Sequence, residues 1–243
     1  MYFCSMKFVY PYKYRYNYFE IEHSLRWLYL AYPDAEVYII GDKPQISSPF
    51  IHIPYESYLP YSGCDVTDKV MTFCKMIGDE FILMNDDFFI TERFPLHQVM
   101  YYDFVHINPS HSITYQRACE HTIDWLTHHH CETYSFECHQ PVHIQSSKFI
   151  ELFEHIHYQA HNHLLKSIYF NVWPPRKYEG ANLKFGYSLT KAKEALEKYG
   201  AFSCSEEFLT AENKRFISTY SGPAELPPSA ACLLCQTPVP PLD

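Results

Sequence analysis

The sequence predicts an α/β protein, a mostly parallel sheet flanked by helices, and three observations predict it. The first is a β-α-β opening, in which two short apolar strands bracket a segment of helical periodicity; such a unit favours parallel pairing through a crossover helix. The second is the run Phe81-Ile-Leu-Met84, apolar without alternation, as suits a central strand covered on both faces. The third is bulk. A chain of 243 residues that is 47% hydrophobic and 19% charged is long and apolar enough to bury a substantial core.

The elements follow in order. Lys7-Phe-Val-Tyr-Pro-Tyr12 reads as a strand ended by Pro11. Tyr16 to Tyr32 reads as a helix, because Ile21, Leu25, Leu28, Tyr29 and Tyr32 recur on one face before Pro33-Asp34 stops it. Glu36-Val-Tyr-Ile-Ile-Gly41 is the second strand, and Gln45 to Gly63, rich in Pro, Ser and Tyr, reads as irregular. Val70, Phe73, Cys74 and Ile77 share a face of a helix over 65–77, with Gly78 at the position of a C-terminal cap. Glu80 to Ile90 is expected as one strand interrupted by acids, and Tyr101 to Ile107 as another. Helices are expected over 113–128, over 148–157 after Ser146-Ser147, and over 189–199 up to Gly200. Six of the last 23 residues are Pro and charge almost disappears, so 221–243 is expected to be a flexible tail on a domain spanning 1–220.

Composition excludes several classes of function. Only 7 Gly argue against a glycine-rich phosphate cradle. The longest apolar runs fall far short of the roughly 20 residues a bilayer requires, so no membrane span is expected. Aromatics reach 18%, and the net charge is −9 with His neutral, which removes a global nucleic-acid footprint but leaves a local basic strip open. The 15 His would reduce that negative charge as pH falls through about 6.5. No apolar leader core stands in the first 20 residues, and the expected compartment is cytoplasmic. Nine scattered Cys then read as reduced, mostly buried thiols.

The sharpest chemical signal is Asn85-Asp86-Asp87 at the end of the apolar strand. Two adjacent carboxylates there are costly unless something offsets their charge. Ligands of open α/β sheets bind at the carboxyl ends of strands. Mg2+ and Mn2+ prefer hard oxygen ligands and keep positions open for phosphate. The motif therefore reads as a metal–phosphate site, with a solvated turn as the plain alternative.

The stretch Phe81-Ile-Leu-Met-Asn-Asp-Asp-Phe-Phe-Ile90 resembles the second signature block of the Stealth family of sugar-phosphate transferases and the related "NDD" proteins of phage genomes. Phe8-Val-Tyr-Pro-Tyr12, Glu22-His-Ser-Leu-Arg26 with Val37-Tyr-Ile-Ile-Gly-Asp42, and His139-Gln-Pro141 with Lys148-Phe149 resemble other blocks in the same order, together covering roughly residues 7 to 175. The resemblance implies a single GT-A-like, Rossmann-related domain with a helical C-terminal part. It implies transfer of a sugar or a sugar-1-phosphate from a nucleotide-activated donor, a UDP-sugar foremost, to a hydroxyl. Stealth chains open on a W-V-D-G-S-D type segment. Here Tyr10-Pro-Tyr-Lys-Tyr-Arg15 stands instead, which puts glycosyl transfer ahead of sugar-phosphate transfer.

Carried onto these positions, the resemblance implies that Asp86 and Asp87 hold Mn2+ or Mg2+ and through it the donor diphosphate, with Asp87 catalytic. Tyr10, Arg26, Asp42, Lys69, Asn85 and Lys166 join as donor-binding residues. Arg26 alternatively pairs with Glu22 along its helix, Asp42 alternatively serves the turn, and Lys69 is alternatively a solvated lysine. His139 is expected as general base for the acceptor, since an imidazole titrates near working pH, or alternatively as a donor to the charge developing on the leaving group. Lys166-Ser-Ile-Tyr-Phe-Asn171 resembles a stretch of the phage relatives that would add donor or acceptor contacts.

The acceptor is expected to be a glycan or a hydroxymethylated DNA base, with the aromatic stretch Tyr55 to Tyr61 available for stacking. Lys13, Arg15, Arg176-Lys177 and Lys184 are the candidates for a basic groove. His128, His129, His130, Cys131, Cys138 and His139 make only half of a zinc pattern, and Cys232-Leu-Leu-Cys235 has no second pair. A non-catalytic sugar-nucleotide or partner-binding module is the alternative outside enzymology.

Overall fold

Residues 7–54 form the expected β-α-β unit and add one strand to it. The structure, a computed structural model, describes residues 6–56, 58–104, 112–180 and 182–221. β1 (Lys7–Tyr12) and β2 (Glu36–Gly41) pair in parallel along their whole length, joined by α1 (Phe19–Ala31). The helix starts three residues later than its apolar pattern suggests, where Asn17 Oδ1 accepts the Phe19 amide at 2.9 Å. β3 (Ile51–Pro54) then pairs in parallel with β2, inside the stretch expected to be irregular. Only one of its four side chains is buried, so an edge position left no periodic signal to read.

α2 (Ser62–Met76) leads to β4 (Glu80–Leu83), which pairs in parallel with β1. The main sheet is completed by β8 (Val142–Gln145), antiparallel to β4, in the order β3-β2-β1-β4-β8. Chain order reverses between β1 and β4, and that is the switch point at which such sheets open a crevice. Strand alternation sorts the core. Phe8, Tyr10, Tyr12, Val37, Ile39, Ile82 and Met84 pack on the α1 side. Val9, Tyr38, Ile40, Phe81 and Leu83 pack on the α2 side.

The expected single strand over 80–90 is two strands in two sheets. β5 (Phe88–Ile90) leaves the main sheet and pairs antiparallel with β11 (Ala201–Cys204), which pairs in parallel with β10 (Lys184–Phe185). A third small sheet joins β6 (Val99–Asp103) to β7 (Tyr134–Ser135) and β9 (Lys177–Glu179). Residues 105–107 of the expected strand over 101–107 lie outside the described residues.

The remaining helices are α3 (Ile113–His128), α4 (Ser146–Phe153), α5 (Leu165–Val172), α6 (Leu189–Tyr199) and α7 (Ala211–Thr219). Gly200 closes α6 at φ +75°, and a Cβ there would stand 2.7 Å from the Phe94 nitrogen. The six described cysteines are free, five of them buried. Among the described residues no helix is long and apolar enough to cross a membrane. The expected tail lies outside the described residues apart from Ser221.

Candidate active site

β4 ends at the carboxyl edge of the main sheet, and the chain must turn to reach β5. The Phe88 amide closes that turn on the Asn85 carbonyl at 3.2 Å. Pairing of Phe88 with Ser203 then sets Asp87 against β10 and β11. Lys184 Nζ and Ser203 Oγ each donate to Asp87 Oδ2 at 3.0 Å. Asp87 is 7% exposed, and its Oδ1 is buried with no hydrogen-bond partner among the described residues.

The turn lines a cavity of about 230 Å3. Its walls carry five carboxyl groups, from Glu20, Asp86, Asp87, Glu206 and Glu207, against two cations, Arg15 and Lys184. Crowding of like charge shows in the ionisation. Burial first and Asp87 second push the Asp86 carboxyl up to about 6. Burial, Asp86 and Asp87 push Glu20 on α1 up to about 7. Cys204 Sγ donates to Glu20 Oε1 at 3.7 Å, and burial and the Glu20 charge raise its thiol. Burial works to lower the Lys184 ammonium, but Asp87 more than reverses this and the net shift is upward.

A larger cavity, about 540 Å3, opens at the other end of the sheet beside Lys7 and Asp79. There the two charges already pair at 2.9 Å. Strand polarity favours the smaller one.

His139 stands near the acidic turn. Burial and Lys184 lower its imidazole to about 3, against the opposing pull of Asp87. A lowered imidazole is neutral near pH 7 and able to accept or donate a hydrogen bond. Its backbone takes φ +50°. The fully buried Gln140 amide accepts from Met100 N at 3.0 Å and donates to Met100 O at 2.8 Å, an artificial strand partner for β6.

Asn85, Asp86 and Asp87 line the cavity, while several expected donor contacts are used elsewhere. Tyr10 is fully buried and its hydroxyl meets Ser24 Oγ at 3.2 Å, so it is a core residue. Arg26 donates to the carbonyls of Ser218 and Tyr220, the latter at 2.9 Å, and so clasps the end of α7. Asp42 accepts the Tyr14 amide at 2.7 Å. Lys69 is 2% exposed and donates to Tyr12 O and Asp65 Oδ2, both at 2.9 Å. Gly41 allows this, since a Cβ at its φ of +123° would lie 2.0 Å from Tyr12 O and 3.1 Å from Lys69 Nζ. Lys166 lies 3.8 Å from Glu137 and over the Phe88 ring, behind the turn.

The other motifs resolve into structure. Ser167 and Asn171 bond Phe136, Glu137 and Tyr134, and Tyr169 accepts the Gln145 amide, so that stretch stitches α5 to its neighbours. Of the half zinc pattern, Cys138 is buried and donates to Met100 O, and Cys131 donates to His129 O. Cys232 and Cys235 lie outside the described residues. Tyr55 donates to Asp68, and Tyr58 is 85% exposed. Lys177 pairs with Glu132 at 2.5 Å, whereas Arg15 and Lys184 line the cavity of the acidic turn. Sequence reasoning missed Glu20, Ser203 and Cys204, which carry no motif.

Among the described residues no three His, Cys, Asp or Glu side chains stand ready to hold a metal by themselves. The Asp86–Asp87 pair with its free Oδ1 nonetheless fits Mg2+ or Mn2+, which keep several positions for water and phosphate.

No protein-family model matches the sequence, and none of the curated proteins matches it. The Stealth resemblance therefore rests on the quoted motifs alone. Among solved structures, the glycosyltransferase GlyE of Streptococcus pneumoniae TIGR4 and its apo form each match at a TM-score of 0.45 and 12% identity, over 89% of this chain. The chain spans 61% of the length of those structures. At this level the likeness assigns neither residues nor activity.

Proposed function

We propose that this protein is a metal-dependent glycosyltransferase that moves a sugar from a nucleotide-sugar donor to an acceptor hydroxyl. The observation that carries the reading is the acidic turn at the switch point, an anionic cavity in which Asp87 keeps one buried oxygen without a partner. A site of that charge repels a diphosphate unless a cation intervenes. A divalent ion bound there supplies positive charge to a leaving nucleoside diphosphate.

The chain's own groups have separable tasks. Ser203 and Lys184 hold Asp87 Oδ2 and leave Oδ1 without a hydrogen-bond partner among the described residues. Lys184 and Arg15 are the two protein cations on its walls, placed to stabilise charge that grows on a phosphate oxygen. Asn85 offers an amide to a sugar or ribose hydroxyl. His139 stays neutral and takes part by hydrogen bonding. The cavity is smaller than the roughly 300 Å3 at which small-molecule pockets begin, so it takes the charged centre of the donor while base and sugar lie over its rim. The donor proposed is a UDP-sugar. The net charge of −9 favours a glycan hydroxyl over duplex DNA as acceptor.

The test is release of nucleoside diphosphate from a panel of nucleotide-sugars with Mn2+, with chelator, and with Asp86→Asn. Release that needs both the metal and Asp86 supports the reading. Equal rates in all arms, or no release and no donor-dependent rise in melting temperature, overturn it.

A further inference from the structure

A third cavity, about 440 Å3, lies between α3 and the segment joining α4 to α5. Seven of the chain's fifteen histidines line it. Three of them meet ring to ring. His121 stands 5.5 Å from His161 and 6.1 Å from His163, and His161 stands 6.4 Å from His163, between centroids. The interplanar angles are 79°, 63° and 61°, so the rings fan around a common space instead of stacking. The Nδ1 atoms of His121 and His163 are buried without a hydrogen-bond partner among the described residues. A buried polar atom left unpaired is costly, and here two occur in neighbouring rings. Asp124 adds a carboxylate to the same wall, and exposed His161 gives a way in.

We propose that this pocket binds one divalent transition-metal ion of the zinc class, with the imidazoles of His121, His161 and His163 as ligands. Neutral imidazole suits zinc, copper and nickel, whereas Mg2+ and Mn2+ are better served by oxygen. An anion is a poorer occupant, because the Asp124 carboxylate on the same wall repels it. Three imidazoles on one zinc at about 2.0 Å hold their centroids roughly 5 Å apart. As the side chains stand, no three donors among the described residues converge on a metal-holding geometry. Binding therefore draws the three rings together by about an ångström, through small side-chain rotations. The site shares no residue with the acidic turn, and the proposal does not depend on the glycosyl-transfer reading.

The experiment uses the full chain, stripped with chelator and titrated with Co2+ and with Zn2+. The readouts are heat and the visible spectrum of Co2+, which separates imidazole from thiolate ligation. One tight equivalent is expected, with a tetrahedral spectrum lacking sulfur charge-transfer bands, apart from any weaker binding at the acidic turn, which Asp86→Asn removes. Affinity should fall by more than about tenfold in His161→Ala and in His163→Gln, since even outer-shell partners of a metal are worth that much. It should be unchanged in His143→Ala and in Asp86→Asn. Circular dichroism checks folding, and His161→Ala, at an exposed position, decides the matter if His163→Gln does not fold. No binding, a sulfur-bearing spectrum, or affinity indifferent to His161 overturns the proposal. So does pocket occupancy by inorganic phosphate with no response to metal.

Discussion

Removing the partners of the Asp87–Lys184 pair singly and together measures how firmly the acidic turn is tied to β10. Lys184 Nζ lies 3.0 Å from Asp87 Oδ2, with side-chain exposures of 34% and 10%. At an effective dielectric of about 20, that separation gives a gross attraction of about 5 kcal/mol. Desolvation and the open side of Lys184 take back much of it, which leaves a coupling of about 1.5–3 kcal/mol. The singles should be unequal. Lys184→Met strands the more buried member, whose Oδ2 keeps only Ser203. In Asp87→Asn the ammonium can turn to water, so the cost is smaller, and the double variant should be more stable than the two single losses summed. The assay is urea unfolding of the four proteins in chelator, read as a double-mutant cycle. Losses that add to within about 0.5 kcal/mol would refute the reasoning, because they would mean that the pair does not interact.

Two further outcomes follow from the geometry. Burial, His121 and His161 lower the His163 imidazole from its ordinary value to about 4. The unfolded chain therefore takes up this proton more readily, so the contribution is complete above about pH 6.5 and is lost as pH falls toward 4. After allowance for solvent, metal-free protein should lose about 1–2 kcal/mol more than His163→Gln between pH 7 and pH 4.5 in urea unfolding, and parallel losses would exclude the shift. Arg26→Met removes the clasp on the carbonyls of Ser218 and Tyr220. It should cost about 1–3 kcal/mol and leave the KM for donor in the diphosphate-release assay unchanged, whereas a large rise in KM would return Arg26 to the donor site.

Much of the fold was legible because burial leaves periodic traces. β1, β2, α3 and α6 stand where they are expected: the two helices each bury one face, and the two strands are short apolar runs buried on both faces. β3 was invisible because an edge strand with one buried side chain writes no pattern. The strand over 80–90 read as continuous because both halves are buried, although in different sheets. A change of sheet is a tertiary event with no local signal. The acidic turn itself was legible, since adjacent carboxylates after an apolar strand conflict with burial. Its partners were not. Lys184 lies 97 residues from Asp87 and Ser203 lies 116. Ser167 and Asn171 misled for a related reason, since the polar types that could meet a ligand are also those that satisfy buried backbone groups.

Four residues, Met84 to Asp87, carry the backbone from β4 in the main sheet to β5 in the second. Each sheet is locked by its own ladder, so any relative tilt of the two layers must be absorbed in the dihedral angles of this short bridge. The carboxylates ride on it. The spacing between their oxygens is thereby a gauge of the angle between layers, and a substitution at Phe202 in β11, which pairs with Phe89, would reach the acids through backbone rotation.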